Sequence, residues 1–410
     1  MEPVSQPTPQ TFPEPVAGSP GDPEHAPADA PAAQPKRPAA SIDELLEQVV
    51  AQGASDLHVT VGSEPVIRVN GRLQRLEEFT RLSPDDTQRM LYRILSTQQQ
   101  KQFEIKRQID ISYSIPGLAR FRVNVYFQRE SLGAAFRLIP AELKTFEQLG
   151  LPPILKEFTT KPRGLVLVTG PTGSGKSTTL AAVIDEINRT RDDHIMTIED
   201  PIEFLHRHKR CIVNQREIGP DASSFAEALR GALRQDPDVI LLGEMRDLET
   251  IATALTAAET GHLVFATLHT QDAPSTVDRL IDVFPAAQQE QVRVQIAATL
   301  QGIVTQTLLP TMDGLGRVAA LEILLPDDAV RNLVRQAKVE QIYSVMQTNT
   351  ARGMQTLEQA LLDLVRRGKV SKETALMRSS KPDALKGLLQ RNGLLAADDA
   401  PAGGLRAAGS

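Results

Sequence analysis

The residues with the clearest chemical meaning form one glycine-rich loop: Gly170, Pro171, Thr172, Gly173, Ser174, Gly175, Lys176, Ser177 and Thr178. Together they fit the phosphate-loop pattern G-x-x-x-x-G-K-[ST], in which glycines let the backbone wrap around a phosphate and point its N–H groups inward. Lys176 can reach the β- and γ-phosphates, and the Ser177 hydroxyl can take one Mg²⁺ position. The loop predicts binding of a nucleoside triphosphate together with Mg²⁺.

The segments on either side of the loop are those that a phosphate site needs. Leu165–Thr169 is a short apolar, β-branched run, typical of a parallel core strand. After the loop, Leu180, Val183, Ile184 and Ile187 recur at helical spacing and predict one buried stripe. The helix would present its N-terminus, with a partial positive charge, to the same phosphates.

Three further predicted strands end next to polar side chains. These strands are Ile195–Ile198, Val239–Leu242 and Leu263–Thr267. Glu199 follows the first strand, Glu244 the second and His269 the third. Ligands of open α/β sheets bind beyond the carboxyl ends of the strands, so Glu199 and Glu244 are candidates to position water. Glu244 can also join Ser177 as a metal ligand, although Gly243 stands where the second phosphate-loop motif usually has Asp.

Each candidate has a structural alternative. Glu199 could merely cap a turn, and Glu244 could form an ion pair with Arg246. His269 is a candidate sensor of the γ-phosphate, and His262 at the start of the same strand is a weaker one. Both could instead be hydrogen-bonded structural histidines, because they lack metal-ligand spacing.

Three arginines of the N-terminal half are candidates to stabilise charge during phosphoryl transfer. Arg120 and Arg122 share one face of a predicted strand, and Arg137 stands on the following strand. Such residues more commonly form a solvated sheet face. They act on a nucleotide only if that face meets one, in their own subunit or in a neighbour.

Composition excludes several classes of protein. The 410 residues include a single cysteine, Cys211, which rules out an internal disulfide and any multi-cysteine zinc or iron–sulfur site. The net charge of −6 argues mildly against a dedicated nucleic-acid binder. We find no apolar run long enough for a transmembrane helix and no secretory signal, so any contact with a membrane is expected to be indirect, through a protein partner.

The chain order predicts an α/β protein with several parts. Predicted are a disordered tail at 1–40, a small α+β domain with an antiparallel sheet at 41–140, a linker at 141–162, a nucleotide domain with a covered parallel sheet at 163–326, C-terminal helices at 327–395 and a disordered tail at 396–410. In the C-terminal part, Val330, Leu333 and Val334 predict the core face of a helix, while Arg331 and Arg335 are expected to be free for outside contacts.

Several motifs resemble those of the type II/IV secretion ATPases, and most closely the PilT group, the type IV pilus retraction motors. They are GPTGSGKST (170–178), TIEDPIEF (197–204), ILLGEMRD (240–247), AETGHLVFATLHT (258–270), GRVAALEIL (316–324), AVRNLVRQ (329–336) and GMQTLEQAL (353–361). The similarity runs from Ser41 to Thr374, and Gly243 is normal for the family.

The resemblance implies a RecA-like P-loop ATPase core with a PAS-like N-terminal domain and C-terminal helices. It also implies a homohexamer that hydrolyses ATP with Mg²⁺, and that Glu199 and Glu244 share the positioning of water and metal. The expected partner is the pilus platform protein at the cytoplasmic face of the inner membrane, and the expected role is pilus retraction in twitching motility. No nucleic-acid partner is expected.

Three alternatives stay open at this point. A pilus extension or type II secretion ATPase shares the core, but usually carries a four-cysteine zinc site that this chain lacks. An accessory retraction ATPase is a closer paralogue. A nucleotide-switched binding module or a nucleic-acid translocase belongs to a different class, and no basic, aromatic-interleaved patch supports it.

Overall fold

The computed structural model describes residues 36–139 and 143–395, and in these residues the strands form two sheets. The predicted tail 396–410 and most of the predicted tail 1–40 lie outside the described residues. The exception is residues 36–40, which the prediction placed in the tail. Arg37 bridges to Phe79, and Ala39 is buried, so this stretch already packs on the N-terminal part of the fold.

The first sheet, called here the N-terminal sheet, is antiparallel with the order β3-β2-β1-β6-β5-β4. Its strands are β1 (Asp56–Val59), β2 (Val66–Val69), β3 (Arg72–Arg75), β4 (Gln108–Ile115), β5 (Ala119–Gln128) and β6 (Ser131–Ile139). The helices of this part are α1 (Ile42–Ala51), α2 (Pro84–Ile94) and α3 (Thr97–Lys106). The antiparallel sheet and its helices agree with the α+β domain predicted from the sequence. The exact domain boundaries stay predictions.

Local chemistry explains the turns and breaks of this part. Asn70 and Gly71 both have positive φ, at 49° and 81°, as the tight turn between β2 and β3 requires. Ser96 separates α2 from α3. Its side chain accepts a hydrogen bond from the Gln99 N–H and starts α3 with a capping box.

The second sheet, called here the central sheet, carries the phosphate loop and has the order β13-β12-β7-β11-β10-β8-β9. Its strands are β7 (Gly164–Thr169), β8 (His194–Glu199), β9 (Ile212–Glu217), β10 (Val239–Leu242), β11 (Leu263–Leu268), β12 (Leu300–Pro310) and β13 (Arg317–Leu324). Neighbouring strands are parallel except β12 and β13, which form an antiparallel pair. The prediction of a wholly parallel sheet was therefore wrong at this edge, and β9 and β12 were not predicted.

Helices cover both faces of the central sheet. They are α4 (Phe146–Leu149), α5 (Lys156–Thr159), α6 (Lys176–Thr190), α7 (Phe225–Ala232), α8 (Leu248–Glu259), α9 (Ala273–Asp282) and α10 (Ala286–Thr299). On one face α6 and the short helices bury Phe158, Leu180 and Ile184 against the strands. On the other face α8, α9 and α10 build a larger apolar core that includes Leu255 and Leu280.

The C-terminal part is helical, as predicted. Its last three helices pack on the β12–β13 edge of the central sheet, and its first two pack against α9 and α10. Its helices are α11 (Asp328–Arg335), α12 (Ile342–Thr348), α13 (Leu357–Arg366), α14 (Lys372–Arg378) and α15 (Pro382–Arg391). The sequence did not predict α12 and α14. None of the helices within 36–139 and 143–395 combines the length and apolar character needed to cross a bilayer.

Candidate active site

The phosphate loop is pressed against β12, and its glycines are needed for this approach. Gly170 has φ 132°, and a Cβ there would lie 2.2 Å from the carbonyl oxygen of Gln306. Gly175 has φ 89°, and a Cβ there would lie 2.8 Å from Nε2 of the same Gln306. The Thr179 hydroxyl donates to Gln306 Oε1 at 2.7 Å, which ties α6 to β12. The loop is thus held in a shape in which the glycines leave its backbone uncovered by side chains.

The N-terminus of α6 offers free donors to an anion. Gly175 is the N-cap residue, in a left-handed conformation, and no side chain caps the helix. The Ser174 hydroxyl is buried without a hydrogen-bond partner among the described residues. Uncapped helix amides and an orphaned hydroxyl in a bare loop are what a phosphate group would satisfy.

A cavity of about 590 Å³ opens at the carboxyl edge of the central sheet, where the loop and three strand ends meet. It is lined by Thr172, Gly173, Gly175, Lys176, Ser177 and Thr178 from the loop, and by Glu199, Glu244 and His269 from the strand ends. The structure thus brings together the residues that the sequence singled out on four separate segments. A cavity of this volume is within the usual range for a small-molecule site.

Lys176 lies at the floor of this cavity, only 8% exposed. Its Nζ donates to the carbonyl oxygens of Gly170 at 2.9 Å and Pro171 at 3.2 Å, and lies 3.4 Å from His269 Nδ1. Burial lowers the pKa of Lys176, and the nearby carboxylates of Glu244 and Glu203 oppose that effect. A bound phosphate would place negative charge beside the buried Lys176 ammonium and so favour its charged form.

Glu244 forms the ion pair with Arg246 that was its structural alternative, and it also contacts His269; its role in catalysis stays a prediction. Its Oε1 lies 2.5 Å from Arg246 Nε in an ion pair and 3.0 Å from His269 Nε2. His269 therefore joins Lys176 to Glu244 across the cavity. Ser177 and Glu244 both line the cavity, and their hydroxyl and carboxylate oxygens are ligands that suit Mg²⁺.

Glu199 is held from three sides at the end of β8. Its carboxylate accepts hydrogen bonds from Thr197 Oγ1 at 2.7 Å, Gln215 Nε2 at 3.3 Å and the Glu203 N–H at 3.3 Å. Burial raises the pKa of Glu199, which makes the ionised form a better proton acceptor. The bond from the Glu203 N–H is the turn cap that was the alternative, and the catalytic role of Glu199 stays a prediction.

Gly243 lies close against the backbone of Glu199. A Cβ on Gly243 would lie 3.2 Å from the Glu199 Cα and 3.3 Å from the Ile198 carbonyl oxygen. The Gly243 N–H also donates to that carbonyl at 2.8 Å. The end of β10 is thus packed so closely against β8 that any side chain at this position would require the backbone at Glu199 to shift by a few tenths of an ångström.

Three other candidates lie elsewhere. His262 is at the opposite end of β11 from His269, and its Nδ1 lies 3.0 Å from the Ala257 carbonyl oxygen, so it is a structural histidine. Arg331 was expected to be free, but this is wrong. Its guanidinium donates to the carbonyl oxygen of Ala297 and, at 3.0 Å, to that of Leu300. Of the two arginines, Arg335 alone is exposed.

The N-terminal arginines do not line the cavity of their own chain. Arg120 forms an ion pair with Glu217, and Arg137 bonds Asp56 at 3.0 Å with 73% of its side chain exposed. Burial raises the pKa of Asp200, and Arg122 lies close enough to oppose that effect in part. Their action on a nucleotide stays a prediction.

The sequence did not single out every residue that lines the cavity. Arg317 at the start of β13 and Leu308 on β12 both line it, yet neither belongs to a phosphate-loop motif. Only the G-R-V tripeptide before a predicted strand could have pointed to Arg317. Both residues come from the antiparallel β12–β13 pair, which the sequence analysis did not foresee.

Comparisons with known proteins agree with this arrangement. The profile of the family described as "Type II/IV secretion system protein" matches residues 33–315. The chain belongs to the type II/IV secretion system protein family.

The chain is also similar to several individual proteins. The chain is 52% identical to the type IV pilus retraction ATPase PilT of Pseudomonas aeruginosa, over 83% of this chain and 99% of the relative. It is 41% identical to the type IV pilus ATPase PilU of the same organism, over 88% and 98%. A crystal structure of the pilus retraction motor PilT with bound ADP has a TM-score of 0.80 at 50% identity, covering 84% of this chain and 99% of that one.

These findings confirm three predictions from the sequence. The resemblance to PilT-type ATPases is confirmed, and so is the prediction of an ATP-hydrolysing enzyme. The fold class is also confirmed: a RecA-like core with a small N-terminal domain and a C-terminal helical part. The ATPase DotB of Legionella pneumophila has the same fold, with a TM-score of 0.73 at 31% identity.

Proposed function

We propose that the chain is a motor ATPase that powers retraction of type IV pili, and with it twitching motility. The observation that carries the proposal is the cavity in which Lys176, Glu199, Glu244 and His269 converge on one bare phosphate loop. The similarity to PilT over nearly the whole of that relative supports the direction of work.

In this proposal each cavity residue has a distinct task. The loop amides and Lys176 bind the β- and γ-phosphates of ATP. Glu199, with its raised pKa, accepts a proton from the attacking water. His269 registers the γ-phosphate because it contacts both Lys176 and Glu244. Ser177 and Glu244 are the residues that would hold Mg²⁺, which when bound neutralises charge on the phosphate oxygens.

The proposal includes a homohexamer in which the site is completed by a neighbour. Arg122 and Arg137 lie outside the cavity of their own chain, and Arg137 is largely exposed, so both are available to a nucleotide bound across a subunit boundary. The ring would act on the pilus platform protein at the cytoplasmic face of the inner membrane.

The assembly can be tested by mixing two inactive variants. Arg137→Ala chains mixed with Lys176→Ala chains should regain part of the ATPase activity, since mixed rings contain some intact composite sites. Light scattering or native mass spectrometry must verify that mixed rings form. Mixed rings without activity would place Arg137 in its own subunit's site or outside any site.

The direction of work can be tested in cells. Deleting the gene in its own host should leave cells with excess surface pili and no twitching motility, and a Lys176→Ala copy should not restore either. Bald cells would instead indicate an extension ATPase, and normal pili with a secretion defect would indicate a type II secretion ATPase. Motility that is lost only under load, with pili still retracting, would indicate an accessory retraction ATPase.

A further inference from the structure

Glu322 is a buried carboxylate that the nucleotide cavity does not use. It lies on β13 and is 2% exposed. Across the central sheet, Glu322 pairs with Thr305 on β12, and Thr305 pairs with Thr169 on β7, the residue before the phosphate loop. The hydroxyls of Thr169 and Thr305 are 2.9 Å apart. Glu322 therefore stands in the row of residues directly below the catalytic edge.

The Glu322 carboxylate faces the first residues of two helices from different parts of the chain. Its Oε1 accepts a hydrogen bond from the Ala273 N–H, the first residue of α9, at 2.7 Å. The N–H of Leu357, the first residue of α13, faces the same carboxylate and favours its ionised form. An ionised carboxylate is suited to this double role, because both oxygens accept and both helix N-termini carry partial positive charge.

The first of these helices leads back to the nucleotide. Only three residues separate His269 from Ala273. The Thr270 hydroxyl is 2.6 Å from that of Thr276 inside α9, so the segment after His269 is fixed to the helix. A shift of the start of α9 would therefore move His269 relative to Lys176 and Glu244.

The second helix leads to the C-terminal part of the chain. Glu358, the next residue of α13, is 1% exposed and accepts hydrogen bonds from the Tyr343 hydroxyl at 2.9 Å and the Ser379 hydroxyl at 3.0 Å. It also accepts from the Ser380 hydroxyl and the Lys381 N–H, both at 3.1 Å. α13 thus carries α12 and the approach to α15 with it.

We propose that Glu322 is a positioning residue that couples the His269 segment to the C-terminal helices, by holding the N-termini of α9 and α13 on one carboxylate. When His269 moves with the γ-phosphate, α9 moves with it, and Glu322 passes the displacement to α13. The proposal rests on the ATPase activity, but not on which filament the motor serves.

The coupling depends on the ionised form of Glu322. The groups that face it are Asp272 before α9, Glu358 on α13 and Tyr343 on α12. Burial, together with the two neighbouring carboxylates, raises the pKa of Glu322 to about 7. A protonated Glu322 has one oxygen occupied by its proton and can hold only one of the two helices firmly.

The test compares Glu322→Gln with the wild-type chain across pH. Gln keeps the shape but presents only one acceptor oxygen, so it resembles the protonated form. At pH 8 we expect kcat to fall about tenfold with KM for ATP unchanged, because a displaced His269 weakens positioning rather than binding. At pH 6 the two proteins should differ by less than about twofold. A purely structural defect would give a ratio of rates that does not change with pH.

A second readout follows the coupling itself. In the wild-type chain, adding a non-hydrolysable ATP analogue should change amide hydrogen exchange in α13, and Glu322→Gln should abolish that change while the analogue still binds. Glu358→Gln is the matched control: it removes another buried carboxylate of α13 that does not touch α9, and should leave kcat unchanged. Equal kcat for Glu322→Gln and wild type at pH 8, or an equal loss in Glu358→Gln, would overturn the proposal.

Discussion

Arg120 on β5 and Glu217 at the end of β9 form an ion pair that ties the N-terminal sheet to the central sheet. Their side chains are 18% and 5% exposed. The Ser112 hydroxyl donates to the same carboxylate at 2.7 Å, and so does the Ile202 N–H at 3.2 Å. Glu217 is therefore a buried carboxylate whose ion-pair partner comes from the N-terminal sheet. It lies beside Glu199, with which it pairs across β8 and β9.

Breaking this pair from one side should cost more than removing both partners. Arg120→Ala leaves Glu217 buried and unpaired, and should lower the free energy of unfolding by about 3 kcal/mol. Adding Glu217→Gln should recover part of that loss, because the neutral amide needs no cation. Urea unfolding of the two single variants and the double variant gives the coupling energy. Additive losses would mean that the pair contributes nothing to holding the two sheets together.

The cavity residues should separate into those that bind ATP and those that turn it over. Lys176→Ala should weaken ATP binding about tenfold or more and abolish hydrolysis, because its charge meets the β- and γ-phosphates. Glu199→Gln and Glu244→Gln should keep binding and slow hydrolysis roughly 10²-fold, because they leave the phosphate loop intact. Calorimetry with an ATP analogue and a phosphate-release assay measure the two effects. Wild-type turnover in either glutamine variant would show that the glutamate has another role.

The sequence predicted the part of this site that depends on local pattern. The phosphate loop and the ends of β8, β10 and β11 were found because buried apolar runs followed by polar residues are visible in one dimension. β12 was missed because Thr305, Gln306 and Thr307 interrupt its apolar run. The buried Thr305 and Gln306 are tolerated in the sheet interior because they hydrogen-bond to Thr169 and Thr179.

Tertiary contacts also account for the candidates that the sequence assigned wrongly. The helical spacing around Val330 and Val334 correctly predicted a buried face. The same spacing could not reveal that α10 ends beside Arg331 and offers it carbonyl oxygens. Likewise, the absence of Asp at position 243 has a cause only in the packing of β10 on β8, 3.2 Å from the Glu199 Cα.

The stability of the chain should carry a signature of Glu322. Its pKa rises from 4.5 to about 7 on folding, so the folded state binds more protons than the unfolded state between these values. Stability from this group therefore falls as pH rises from about 4.5 to about 7, by about 3 kcal/mol in total. Glu322→Gln removes this dependence, so the variant should gain stability relative to wild type as pH rises. Urea unfolding at pH 5 and pH 8 measures the change, and a difference that is equal at both pH values would contradict it.

The two arginines of α11 should have different effects, although the sequence treated them alike. Arg331 caps the C-terminus of α10 through the carbonyl oxygens of Ala297 and Leu300, and burial lowers its pKa. Arg331→Ala should therefore lower the free energy of unfolding by about 2 kcal/mol. Arg331→Lys, which keeps the charge but not the two-pronged geometry, should lose less.

Arg335 is exposed and should be dispensable for the fold. Arg335→Ala should change stability by less than about 0.5 kcal/mol and leave ATPase activity intact. If α11 is the surface through which the motor engages the pilus machine, the same substitution should abolish retraction and leave cells with excess pili and no twitching. Normal motility in Arg335→Ala cells would mean that the contact lies elsewhere, since Arg331 faces inward and cannot supply it. Loss of ATPase activity in the purified Arg335→Ala protein would instead show that Arg335 is needed for hydrolysis itself.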